Sequence, residues 1–331
     1  MRNRLQKQSV CLMKTKFVWL VCLSFLVGWP LSLFSSESQY YKEAKDYYDQ
    51  KQYLMAMLSA QKALEEDPQN ADHIFFYGLV LTELQQFTEA EQHLRKAVKL
   101  QPENAEFHYR LAALLLQEKM ALKAMLSLDG RDDNTLLVTG TEKEAINSLE
   151  KAVSLNPNHF KARLHLGRAY YDQNLHDLAR REFLAVSEKN ASYPWLHYHV
   201  AMLYSNVGNV EEAINELERE IELYPEHAQA QLELGELFLK VSKFESALKH
   251  LLTTNEGEVN PADLKYALAK VYRNLGDQEK AITLAKECLK VDPQFTDAHY
   301  LLGQIYREIG QTELSRQSME LFQKLKTTPA R

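Results

Sequence analysis

The prolines set the frame. Pro68, Pro102, Pro157, Pro225 and Pro293 are separated by 34, 55, 68 and 68 residues, which resolves into a period of 34 carrying one insertion of 21. A fixed period of this size means one supersecondary unit copied along the chain, each copy burying its apolar face against the next. Units then start at residues 37, 71, 105, 160, 194, 228, 262 and 296, the third being lengthened internally over 119–139. Glycine and proline number only 11 and 9 in 331 residues, about half the usual share, so the copied unit is expected to be helical.

Two positions of the unit are small in every copy. Position 8 holds Ala44, Gly78, Ala112, Gly167, Ala201, Gly235, Ala269 and Gly303, and position 20 holds Ala56, Ala90, Ala145, Ala179, Ala213, Ala247, Ala281 and Ser315. Two helices that cross closely need this, because a leucine at the crossing forces the axes apart. Position 11 is large in every copy, from Tyr47 to Tyr306, and fills the space beside the crossing. Gly208, Gly276 and Gly310 fall at position 15, where a left-handed residue ends the first helix.

This pattern resembles the tetratricopeptide repeat family over nearly all of 37–331. The resemblance implies an all-α, right-handed superhelical solenoid of eight helix–turn–helix units that binds protein segments and is not an enzyme. Some units depart from the family pattern: position 7 of the first is Glu43 and position 27 of the fifth is Glu220. Position 32 is Ala191, Val259 and Thr327 in the fourth, sixth and eighth. The last helix, around 313–326, mixes apolar and polar residues and is expected to cap the stack.

In this family the first helix of each unit lines a concave groove through positions 2, 5, 6, 9, 12 and 13. Carried over to this sequence, the candidate partner-binding residues are Lys42, Lys45, Tyr109, Arg110, His165, Arg168, Tyr198, His199, Tyr266, Lys270, Arg273, Tyr300 and Arg307. The tyrosines belong to an aromatic series at position 5 expected to grip apolar side chains. Bases outnumber acids at positions 6, 9 and 12, where the acids are Glu233 and Glu236, while positions 2 and 13 are mostly acidic. A basic floor inside an acidic rim suits acidic partner segments. Trp195 stands on the rim. The carboxylate clamp of some relatives needs Lys at position 5 and Asn at position 9, and neither occurs.

No catalytic or cofactor signature stands beside the repeats. HExxH, paired CxxC, GxSxG, Walker A and GxGxxG sequences are absent, and His197 and His199, two residues apart, point to different faces of a helix. No metal or cofactor is expected. Asp129–Asn134 in the insertion lacks the glutamate of a calcium loop and reads as a turn, preceded by a Met- and Leu-rich continuation of the third unit's first helix. Cys288, at a small buried position, reads as a packing thiol, and Asn190–Ser192 is a glycosylation sequon that has meaning only in a eukaryotic secretory route.

Residues 1–36 differ from the rest. They hold five bases and no acid, with an uncharged stretch at 17–34, so the 34 bases and 45 acids of 37–331 leave a body that repels nucleic acid. The layout predicts either a cleaved secretory signal or a retained membrane anchor, with the repeats in a periplasm, lumen or extracellular space. Two of three cysteines lie there, so the repeats have no disulfide framework of their own. The functional expectation is a protein-binding scaffold, with a holding chaperone or a regulatory subunit of an enzyme complex as rivals.

Overall fold

A hairpin of two helices recurs because each unit alternates an apolar 3.6-residue pattern with a turn that only a left-handed residue closes. The computed structural model describes residues 38–128 and 135–327, with side chains at all of these except 119, 121–128 and 135–139. The leader, the turn at 129–134 and the Met- and Leu-rich side chains of 122–128 lie outside the described residues. Sixteen α-helices and no strand occur among the described residues. They run α1 (Gln39–Asp49), α2 (Tyr53–Glu66), α3 (Ala71–Glu83), α4 (Phe87–Leu100), α5 (Ala105–Leu128), α6 (Thr135–Leu155), α7 (Phe160–Asp172) and α8 (His176–Ser187). There follow α9 (Leu196–Asn206), α10 (Val210–Leu223), α11 (Ala228–Lys240), α12 (Phe244–Thr253), α13 (Pro261–Asn274), α14 (Gln278–Val291), α15 (Thr296–Glu308) and α16 (Thr312–Thr327).

The chain forms two compact bodies, residues up to 96 and residues from 97 onward. In the first, α1 packs on α2 and α2 on α3. Its core holds Ala44, Ala56, Ile74, Leu81, Ala90 and Leu94. The second is a stack of hairpins, α5–α6 to α15–α16, each second helix packing on the next first helix. First helices also touch their successors directly, α7 with α9, α11 with α13 and α13 with α15, so they line the inner side of this body.

Side chains explain the small positions. A methyl group on Gly167 would lie 2.4 Å from the Phe183 ring, one on Gly235 2.6 Å from Leu251 and one on Gly303 2.7 Å from Met319 Sδ. Position 24 of the second helix thus drives into position 8 of the first. The seven alanines at position 20 are fully buried, and Ser315, at the same position, donates its hydroxyl to the Gly303 carbonyl at 2.8 Å. Position 15 is left-handed in every unit but the lengthened third, where the chain stays helical. Besides the three glycines, Lys51, Gln85, Asn174 and Ser242 take φ of 58° to 60°, at a steric cost of about 1–2 kcal/mol each.

The linkers reveal a device that the sequence pattern alone does not. The side chain at position 4 reaches back six residues to the carbonyl of the linker proline: His108 Nε2 to Pro102 at 2.9 Å, Arg163 Nε to Pro157 at 2.7 Å, Gln231 Nε2 to Pro225 at 3.2 Å and His299 Nε2 to Pro293 at 3.2 Å. Proline carbonyls at a helix start have no intrahelical donor, so each clasp satisfies an otherwise open acceptor. At Pro68 the second-helix residue Lys96 donates instead, at 3.1 Å.

Candidate functional site

The inner face of the second body is where the sequence-assigned groove residues gather. Lys42 and Lys45 lie on α1 in the first body, where Lys42 is exposed and Lys45 sits over the Tyr41 ring at 4.1 Å. The other candidates lie on α5, α7, α9, α13 and α15.

The aromatic series does not stack on itself. Tyr109 packs on His159 at 4.7 Å, Tyr198 on His227 at 5.3 Å and Tyr266 on Phe295 at 5.0 Å. Each of these partners is the last residue before the next first helix, so position 5 wedges its ring under the following linker. Tyr300 packs instead on Phe322 of α16, within its own unit, at 5.0 Å. These rings contribute apolar burial to the joints. Removal from water raises the hydroxyl pKa of Tyr109, and pushes that of Tyr266 up to about 12.

The division into basic floor and acidic rim needs correction, because rim acids bond floor bases. Glu106 at position 2 holds Arg110 at 2.6 Å and also meets His159 at 2.9 Å. Glu308 at position 13 pairs with Arg273 of the preceding unit, whose guanidinium also donates to Gln304 at 2.6 Å. Lys270 lies over the Tyr266 ring at 5.4 Å. Arg168 and Arg307 are exposed and make no ion pair among the described residues. His165 and His199 add no charge at neutral pH, since burial first, and then the positive field of Arg168, press them down to about 4 and about 3. His199 lies flat against Phe183 at 5.4 Å.

Arg168 borders a cleft of about 660 Å³ between α5 and α7. Ala113, Leu116 and Met120 form its apolar wall, Met120 being 59% exposed, and Arg168 shares the remaining lining with His165, Gln117, Gln173 and two carboxylates, Glu142 and Asp172, among others. An apolar wall facing one unpaired guanidinium can hold an apolar side chain next to a carboxylate.

Farther along the inner face the charge reverses. Glu233, Glu236 and Asp263 carry raised pKa values, all chiefly through removal from water between the helices. Glu236, with Glu233 beside it, is pushed up to about 7. Sequence counting recorded Glu233 and Glu236 as two acids among many bases and missed that they form a separate acidic stretch.

Sequence reasoning also missed what Glu220 does. Its carboxylate is fully buried on α10 and accepts the backbone N–H of Trp195 at 2.9 Å and of Tyr198 at 3.3 Å, with His227 Nδ1 at 3.0 Å. Trp195, at φ 69°, has no capping side chain, so Glu220 caps α9 from the neighbouring helix. The signal was present as an acid at a position that is small and buried in most other units. Cys288, at the same position two units later, is buried, and its thiol is pushed up to about 11 by that burial, as a packing group should be.

Among the described residues no group of three or more His, Cys, Asp or Glu side chains is placed to hold a metal ion, and no helix is long and apolar enough to cross a membrane. Family models described as TPR repeat or tetratricopeptide repeat match residues 78–118, 139–203, 201–253, 262–305 and 296–328. The chain is similar to tetratricopeptide repeat protein 37 of Xenopus laevis, 23% identical over 266 residues, 76% of this chain and 15% of that protein. It is also similar to superkiller protein 3 of Schizosaccharomyces pombe, 24% identical over 154 residues, 44% of this chain and 11% of that protein. It therefore spans less than a fifth of the length of these curated relatives.

Two solved structures share the fold. One is a tetratricopeptide repeat protein from Parabacteroides merdae, with a TM-score of 0.57, 17% identity, and coverage of 84% of this chain and 98% of that one. The other is the APC/C hetero-tetramer Cut9–Hcn1, with a TM-score of 0.60, 16% identity, and coverage of 92% and 56%. Proteins of this kind generally mediate protein–protein interactions. With the hairpin geometry, the small crossing positions and these matches agreeing along most of its length, the chain belongs to the tetratricopeptide repeat family.

Proposed function

We propose that this protein is a non-enzymatic scaffold that holds segments of partner proteins on the inner face of its repeats, with the α5–α7 cleft as an anchoring point for an acidic residue beside an apolar one. The observation that carries this reading is Arg168, an exposed guanidinium with no carboxylate partner among the described residues, set against Ala113, Leu116 and Met120. Unpaired charge at the edge of an apolar recess favours a ligand that brings both a counter-charge and apolar surface. Reversing it by Arg168→Glu is expected to weaken a purified partner by about 1–3 kcal/mol, and more at low salt than at high. Asp172→Lys in the same cleft should do less. An affinity indifferent to both the reversal and ionic strength refutes the electrostatic anchor and favours the holding-chaperone reading, in which apolar contact dominates.

The repeats are proposed to work outside the cytoplasm. The support is the five bases of residues 1–16 ahead of an uncharged stretch at 17–34. A reporter that needs an oxidising compartment, fused after Arg331, should be active in the native host, and activity only of a cytoplasmic reporter refutes the placement.

A further inference from the structure

Beside Trp195 lies a recess of about 280 Å³ lined by Trp195, Glu220, Tyr224, Glu226, His227 and Glu258, among others. Three of its lining residues are carboxylates, and none is lysine or arginine. Glu226 and Glu258 are exposed at its mouth, and Glu220 is buried at its floor. Trp195 is 46% exposed, with its ring 3.9 Å from that of His227.

His227 supplies the second observation. Its ring is more than nine-tenths buried, and its Nε2 has no hydrogen-bond partner. Glu220 already accepts two backbone N–H groups, so it acts as an acceptor toward Nδ1 as well, and the tautomer with its hydrogen on Nδ1 has its lone pair on Nε2. The recess therefore offers a lone pair, two outer carboxylates and an indole face. All four are matched by a cation whose polar hydrogens only donate.

We propose that this recess binds the side-chain ammonium or guanidinium of a lysine or arginine in a partner protein segment. The cation lies against the Trp195 face, donates to Glu226 and Glu258, and turns one N–H toward His227 Nε2. The acidic stretch of Glu233, Glu236 and Asp263 adjoins the recess through Gln229, which lines it and donates to Glu233 at 3.2 Å, so a basic segment that leaves the recess reaches further carboxylates on the inner face.

The test uses the full chain and three synthetic hexapeptides, one of lysines, its fully Nε-acetylated twin and one of glutamates, followed by tryptophan emission with Trp195→Phe to assign the signal. The lysine peptide is expected to shift Trp195 emission, and both other peptides to leave it unchanged. The Glu226→Gln, Glu258→Gln double variant, altered only at exposed positions, should bind the lysine peptide at least tenfold more weakly. Arg168→Glu should bind it no more weakly than the unaltered chain, which separates this site from the α5–α7 cleft. Equal binding of the acetylated or glutamate peptide, or undiminished affinity in the double variant, overturns the proposal.

Discussion

Linkers with proline at position 32 and linkers whose proline stands instead at the start of the next unit, as Pro194 or Pro261, solve the same problem in different ways. Before α5, α7, α11 and α15 the chain turns at a proline, and a side chain at position 4 clasps the proline carbonyl. Before α9 and α13, where Ala191 and Val259 replace proline, position 4 turns to carboxylates instead: His197 to Glu216 at 2.6 Å, and Lys265 to Glu256 at 2.8 Å and Glu287 at 3.4 Å. Proline fixes one dihedral and so lowers the entropy lost on ordering the turn. Where proline stands at 194 or 261 instead, position 4 has no proline carbonyl six residues back and bonds carboxylates. The two joints without proline at position 32 hold the buried Glu220 cap, the left-handed Trp195 and the 3-10 turn at Glu256–Glu258, and they border the only stretch where acids dominate the inner face among the described residues.

The contrast predicts unequal sensitivity to mutation. Glu220→Ala strips the partner from two backbone N–H groups and from His227 Nδ1 at once and should cost about 3–5 kcal/mol, read by denaturant unfolding. A loss below about 1 kcal/mol would mean that water replaces the carboxylate and that the joint does not depend on charge. His299→Ala removes one clasp beside a proline that still holds its turn, so about 1 kcal/mol is expected. A cost equal to that of Glu220→Ala would erase the distinction between the two kinds of linker.

The third effect is smallest and depends on pH. The hydrogen bond to Glu216 raises the pKa of His197 above its ordinary 6.5. The protonated pair therefore contributes fully below about pH 6.5, and that contribution is lost as pH rises through the folded-state value. His197→Gln should lower the melting temperature more at pH 6 than at pH 8.5, by a difference corresponding to about 0.5 kcal/mol. An equal shift at both pH values would show that the joint before α9 draws nothing from this charge.

The fold was legible because its signals are steric. A glycine at 167 facing Phe183, or an alanine at 179 with no exposed surface, leaves a mark in sequence at every repeat. The site was less legible because its residues act across units. Arg273 looks available until Glu308, 35 residues later, is seen to hold it, and Tyr198 looks like a groove ring until His227 lies beneath it. Positions within a unit predict which face a side chain takes, whereas pairing is decided by the neighbouring unit. Glu220 was visible as an anomaly, but the identity of its donors, two backbone N–H groups and an imidazole on other elements, depends on the φ of Trp195.

The hairpin that carries the insertion bears on how the chain acquires its structure. Most helices here have 10–14 residues, whereas α5 has 24 and α6 has 21. Nucleating a helix is costly, and segments shorter than about 12–15 residues hold little helix before tertiary partners arrive. α5 and α6 exceed that length and meet through contacts near in sequence, so they can order while the shorter units remain coil. In a stack where each unit leans only on its neighbours, an early hairpin is a template from which order spreads. The extra residues thus give the folding reaction a preferred starting point, in the hairpin whose first helix also walls the Arg168 cleft.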